Sequence, residues 1–247
     1  MNRATADAVQ RAAAFVDAHG DGLARLRAAV LVGRAGAADA IAQLAPAESD
    51  PVALRGALEV CDDLRALGDP RVGPWAASLA RTQAGDGGFA FGLEPEARWF
   101  ETGMIAGHLA KTRSARPALL LAAADFLAEH WTPDRVQGGS WRAIAAYAHC
   151  FANADHDESD AILQWCGREL GRAFVTRAFD AVRTARVLVY CDAHGLPGAQ
   201  LAREDLVVAL MTEQGADGGF SKWEGERARD AVTSTLDALV ALRRLGG

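Results

Sequence analysis

Four carboxylates, Glu101, Asp180, Asp230 and Asp237, stand among arginine, hydroxyl and aromatic side chains. A carboxyl group moved out of water holds its proton more tightly and can serve as a general acid near neutral pH. His149 and Tyr147 are the candidates to relay or accept the final proton. Arg98, Arg142, Arg177, Arg183 and Arg186 would suit a carboxylate or a diphosphate, because a guanidinium meets such oxygens with a fixed fork of donors. Trp99 and Trp141, with Phe89, Phe91, Phe100, Phe174, Phe179, Phe220 and Trp223, could contact an apolar chain or a carbocation. Together with Thr233 these residues describe an amphiphilic site. They call for no cofactor. Cys191, Asp192 and His194 are tempting as zinc ligands, but their spacing on one helix does not converge all three, so no metal is expected.

The elements that must hold these residues are helices. In LVVALMTEQ, Leu206, Ala209 and Leu210 share a face; in TSTLDALVALRRL, Leu236, Leu239 and Leu242 do. That is the helical period. Glycine and proline clusters divide the chain into about twelve helices, near 4–19, 21–33, 36–45, 51–67, 72–83, 98–113, 116–131, 140–154, 159–171, 178–194, 199–213 and 228–245. Two of the dividing loops are nearly the same string, QAGDGGF at 83–89 and QGADGGF at 214–220, and a shorter copy, VQGGSW, lies between them at 136–141. The two full copies are 131 residues apart, the length of three repeats of about 44. Twelve helices make six hairpins. An open stack needs polar ends, and both terminal hairpins are as apolar as the rest. The expected fold is therefore all-α, a single domain over 1–247, closed as an α/α six-hairpin barrel or toroid. In the repeated loop the glycines supply positive φ, the Asp bonds the turn, the Gln reaches an adjacent turn and the Phe plugs the gap between helices.

In such a ring the Gly-Gly turns gather at one mouth, where the N-termini of the inner helices favour anions. The first turns of those helices carry Arg55; Arg98, Trp99, Glu101, Thr102 and His108; Trp141, Arg142, Tyr147 and His149; Arg177, Asp180, Arg183, Thr184 and Arg186; and Asp230, Thr233, Ser234, Thr235 and Asp237. A buried charge must be paired, so this set is either a wet functional cavity or a group of ion pairs between neighbouring helices.

The QxxDGGF loops and the following DAVTSTLDALVALRRLG resemble the repeats of the terpenoid cyclase and protein prenyltransferase superfamily, best over 76–109 and 206–245. The resemblance implies an α/α barrel and an acid that protonates an alkene or epoxide. The chain departs from the family's motifs. EVCDDL offers Asp62-Asp63 but no Asp-x-Asp-Asp string, and DHDESD at 155–160 reads as a solvated connection. The Asp, Cys and His that hold zinc in prenyltransferases have no counterpart near Asp230 or Asp180. Lanthionine cyclase-like barrels need a Cys-His pair, and His149-Cys150 reads as packed helix.

Bulk properties set the outer limits. Half the residues are hydrophobic and the net charge is −6, which argues against general nucleic-acid binding. The four cysteines form no CxxC pair and read as buried thiols. Neither an apolar leader nor a run of about 18 apolar residues is present, so the expected location is cytoplasmic with no transmembrane segment. The expected function is acid–base cyclisation or isomerisation of an apolar or amphiphilic small molecule. Two alternatives stay open: a non-catalytic binding subunit with a protein partner, or a lyase acting on a polar anion through the arginines and His149.

Overall fold

The computed structural model describes every residue except Phe91 and residues 224–228. Among the described residues there are twelve α-helices and no strand: α1 (Arg3–His19), α2 (Gly22–Leu31), α3 (Ala37–Ile41), α4 (Pro51–Asp63), α5 (Val72–Ala80), α6 (Pro95–Ala110), α7 (Pro117–Glu129), α8 (Trp141–Asn153), α9 (Ser159–Val175), α10 (Ala181–Cys191), α11 (Arg203–Glu213) and α12 (Ala231–Leu245). No helix among them is long and apolar enough to cross a membrane.

The helix starts are written locally. Asn2, Asp21, Asp50, Ser140, Asp180 and Asp230 each accept a backbone N–H from the first turn of the helix that follows. Pro95 and Pro117 open two more, and Pro51 follows the Asp50 cap, at positions where no donor is needed. Some ends are less legible. The α4 helix stops at Asp63, short of the expected 67, because Arg65 takes a left-handed φ of 52° while Ala66 N–H returns to Cys61 O. Asp192 does the same after α10 (φ 53°), with Ala193 N–H on Leu188 O. Both are helix-ending motifs that normally carry glycine, so no glycine marks them in the sequence.

The described residues fall into two compact units, 1–43 with 171–195 and 200–247, and 44–170 with 196–199. In the second unit α6 packs between α4 and α8, with α5 and α7 against them. The approach of α6 to α8 is close because α6 carries glycine. A Cβ at Gly103 would stand 2.5 Å from Ala146 O, and one at Gly107 would stand 2.4 Å from the His149 ring. In the first unit α12 lies between α10 and α2, with α1 and α11 packed on it. In both units the even-numbered helix at the centre is buried around its girth, while α1, α7 and α11 bury only a stripe.

The two QxxDGGF loops are built alike, bond for bond. Gln83 Nε2 donates to Gly87 O and to Leu119 O of α7, both at 2.9 Å. Gln214 Nε2 donates to Gly218 O (3.0 Å) and to Ala8 O of α1 (2.9 Å). Asp86 and Asp217 accept from Gly88 and Gly219 N–H. Phe89 N–H donates to Thr102 Oγ1 at 2.9 Å, and Phe220 N–H to Thr235 Oγ1 at 3.0 Å, which ties each loop to the helix it introduces. Gly87 (φ 87°) lies on Ala122 O and Gly218 (φ 88°) on Arg11 O, so close that a Cβ would stand 2.1 and 2.4 Å away.

For the first loop the supporting helix is α7, next in the chain after α6. For the second it is α1. Leu119, Ala122, Phe126 and His130 correspond to Ala8, Arg11, Phe15 and His19, each pair 111 residues apart. The rings agree as well: Phe126 lies against His130 at 4.6 Å and Phe15 against His19 at 4.4 Å. Thus α1 supports the second loop as α7 supports the first. The shorter copy keeps only the backbone turn. Gly138 and Gly139 have φ of 85° and 82°, and a Cβ at Gly138 would meet nothing within 4 Å.

Candidate functional site

The expected site residues fall in both units, and each unit gathers its own buried polar group. In the second unit Arg55, Glu59 and Asp62 share one face of α4, by their spacing of four and seven. Arg55 donates through Nη1 to Glu59 Oε2 (2.6 Å) and through Nε to Glu101 Oε2 of α6 (2.7 Å). Lower on the same helices Lys111 Nζ meets Asp62 Oδ2 at 2.9 Å, and His108 Nδ1 lies 3.8 Å from the same oxygen. His149 of α8 packs edge-on against His108 with ring centroids 4.4 Å apart, in the space Gly107 leaves. Apart from Lys111, which is partly exposed, these residues are buried. Burial, and after it the neighbouring His108 and Lys111, hold His149 well below the usual imidazole range, so at neutral pH it is uncharged.

The first unit gathers its group on α10 and α12. Asp237, 1% exposed, lies between two arginines: Arg186 Nε is 3.5 Å from Oδ1, and Arg229 Nη1 bonds Oδ2. Trp223 is bridged to Arg229 by a reciprocal pair of backbone hydrogen bonds of 2.9 and 3.2 Å. Its ring has the Arg229 guanidinium at 5.2 Å and the Arg183 guanidinium at 5.5 Å. The Arg186 guanidinium lies over Tyr190 at 4.5 Å.

Asp180 caps α10 through the Arg183 N–H (2.7 Å), and its other oxygen is 3.8 Å from Arg183 Nε. Its partial burial raises its pKa, against the lowering effect of the Arg183 N–H, and the charge of Asp237 adds to the rise. Glu213, at the end of α11, receives the Ala181 N–H on both oxygens, at 3.0 and 2.9 Å. Though much of that side chain is exposed, desolvation of its carboxyl group raises it too, and the neighbouring Asp180 charge acts in the same direction.

The remaining expected residues have well-defined places. Arg98 clamps the first loop: Nη1 and Nη2 meet Asp86 at 2.8 and 2.6 Å, and the guanidinium lies 4.7 Å over Phe126. Arg142 lies over Phe100 at 4.6 Å, and Trp99 is covered by Arg135 at 3.5 Å. Trp141 is buried at the start of α8. Tyr147 is buried and its hydroxyl donates to His130 O at 3.3 Å; burial pushes it up to about 12. Asp230 is an exposed cap that accepts the Thr233 N–H at 2.7 Å. Arg177 is exposed in a left-handed turn (φ 57°). Phe91 lies outside the described residues. Of the nine aromatics, Phe89, Phe100, Trp141, Phe179, Phe220 and Trp223 are buried.

Cys61 and Cys150 are buried thiols, both pushed up to about 12 by loss of water. Among the described residues no three His, Cys, Asp or Glu side chains converge as a metal site.

Sequence reasoning missed Glu59, Asp62, Lys111, Gly107 and Arg229. Glu59 was legible: with Arg55 it makes an i, i+4 pair of opposite charge. Arg229 was not, because it reaches Asp237 from outside the helical period. No protein-family model, curated protein or solved structure matches this chain.

Proposed function

We propose that the chain closes head to tail as a single α/α toroid of the terpenoid cyclase kind. On this reading it is an acid–base enzyme that cyclises or isomerises an amphiphilic, isoprenoid-like substrate, with Asp180 as the acid. The closure is supported by the 111-residue correspondence between α1 and α7, each of which carries one of the two equivalent loops.

The chemistry rests on how the four candidate carboxylates are sorted. Glu101 and Asp237 are held in ion pairs with arginines. Asp230 is an exposed cap. Asp180 is half-buried, is raised, and stands beside Arg183, whose guanidinium in turn lies 5.5 Å from the Trp223 ring. A carboxylic acid that keeps its proton can add it to an alkene or epoxide, and the product loses a proton to a base at the end, so the net change is an isomerisation.

A second reading, the non-catalytic partner subunit, is favoured by the engagement of Arg98, Glu101, Asp237 and Tyr147 in bonds that hold the fold.

The purified protein is incubated with squalene, squalene epoxide and prenyl diphosphates, and the extracts are read by gas chromatography and mass spectrometry. Wild type forms a cyclic or isomerised product. Asp180→Asn, which caps a helix as well as Asp does, keeps the fold and loses turnover by at least about a hundredfold. Normal turnover in Asp180→Asn removes the acid. Binding without any product leaves the partner reading in its place.

A further inference from the structure

Thr184 and Thr235 both turn their hydroxyls back onto the carbonyl four residues earlier, at 2.9 and 2.6 Å. That is the usual way a helix satisfies a buried hydroxyl. Ser234, beside Thr235 and fully buried, does not do so, and its Oγ has no hydrogen-bond partner among the described residues. Asp237 Oδ1 is likewise buried and without a hydrogen bond, with Arg186 Nε 3.5 Å away at ion-pair distance. The two residues are three apart on α12 and share a face. Thr235, two residues before Asp237, points the other way, onto the loop at Phe220. Two buried polar atoms without hydrogen bonds, on residues three apart on one helix face, would be satisfied by a ligand group that reaches both.

The chemistry of the pair selects that atom. Ser Oγ can donate or accept, while a carboxylate oxygen can only accept. A group that donates to Asp237 Oδ1 and accepts from Ser234 must itself be both donor and acceptor. A fully ionised phosphate or a carboxylate cannot donate, and it would meet the Asp237 charge.

We propose that Ser234 and Asp237 form a hydroxyl-recognition subsite, in which the alcohol end of an amphiphilic ligand donates to Asp237 Oδ1 and accepts from the Ser234 hydroxyl. Arg186 and Arg229 are the positioning residues: they hold the carboxylate so that Oδ1 stays in place. The subsite rests on the amphiphile reading above and refines it. The substrate's polar end is a neutral alcohol, and the arginines of this unit serve the protein's own carboxylate.

The test compares 1-octanol with octyl phosphate by calorimetric titration and thermal shift, on wild type, Ser234→Ala and Ser234→Thr. Octanol is expected to bind wild type more tightly than octyl phosphate does. Ser234→Ala is expected to weaken octanol about tenfold, the size of one buried hydrogen bond, and to leave octyl phosphate unchanged. Ser234→Thr, which keeps the hydroxyl, retains octanol binding. Without ligand, Ser234→Ala melts no lower than wild type, because it removes an orphaned polar atom.

Octanol binding that survives Ser234→Ala, or tighter binding of octyl phosphate, overturns the subsite and leaves the amphiphile reading standing. A lower melting temperature of ligand-free Ser234→Ala also overturns it, since the hydroxyl would then be structural. If neither ligand binds wild type, subsite and amphiphile reading fall together.

Discussion

Gly218→Ala tests whether α1 is clamped by the last loop as α7 is by the first. The new methyl meets two difficulties. Gly218 has φ of 88°, and alanine in a left-handed conformation costs about 1–2 kcal/mol. The methyl would also stand 2.4 Å from Arg11 O and 3.0 Å from Arg11 Cβ, and the first of these is backbone in the middle of a helix. A side chain can rotate away, but here α1 itself must move. Overpacking of this kind costs about 1–3 kcal/mol. Together these make about 2–5 kcal/mol, or roughly 4–20 °C in melting temperature for a chain of this size.

Gly87→Ala should fall by a similar amount, since its methyl would stand 2.1 Å from Ala122 O. Gly138→Ala is the control. It shares the positive φ (85°) with nothing within 4 Å, so only the conformational part remains, roughly 2–8 °C. The three variants are melted side by side by circular dichroism at 222 nm, and hydrogen exchange of α1 is followed in Gly218→Ala. Should Gly218→Ala melt no lower than Gly138→Ala, with α1 as protected as in wild type, then the contact with Arg11 is not what holds the loop, and the case for head-to-tail closure loses its footing.

Three further outcomes follow from the titratable groups and ion pairs. Arg55→Met leaves Glu59 and Glu101 buried without their shared guanidinium and should lower stability by about 3–5 kcal/mol in urea titrations at pH 7; the triple replacement Arg55→Met, Glu59→Leu, Glu101→Leu should recover most of it. His149 has a depressed pKa in the fold, so the unfolded chain takes up its proton first; stability should fall as pH drops below about 6.5, by up to about 1.4 kcal/mol per pH unit, and that slope should lessen in His149→Gln. Asp86 is held below the usual carboxylate range, chiefly by its hydrogen bond from Arg98; its stabilisation is present above about pH 4 and lost as pH falls through the lowered value. Half-exposed, it should contribute under about 1 kcal/mol, read as the difference between wild type and Asp86→Asn at pH 7 and pH 2.5.

The sequence by itself determined what neighbours along the chain decide. Helix positions follow from apolar spacing, their starts from Asp180, Asp230 and the other caps, and the loop chemistry from QxxDGGF, whose Gln, Asp, glycines and Phe do what their types allow. Even the match of α1 to α7 was there to read, as Ala-Ala-x-Phe and a His four residues on in both segments, though the likeness carries meaning only once both helices are seen under equivalent glycines.

Partnership between distant residues was decided by the tertiary structure alone. Glu101, Asp180, Asp230 and Asp237 look alike in the sequence. They differ because Arg55 lies 46 residues from Glu101, because Arg186 and Arg229 reach Asp237 from two directions, and because Asp180 has partial burial against it. A carboxylate's character depends on the charges and the water within a few ångströms of it. Helical spacing fixes which face it occupies; only the packed neighbour fixes what it meets there.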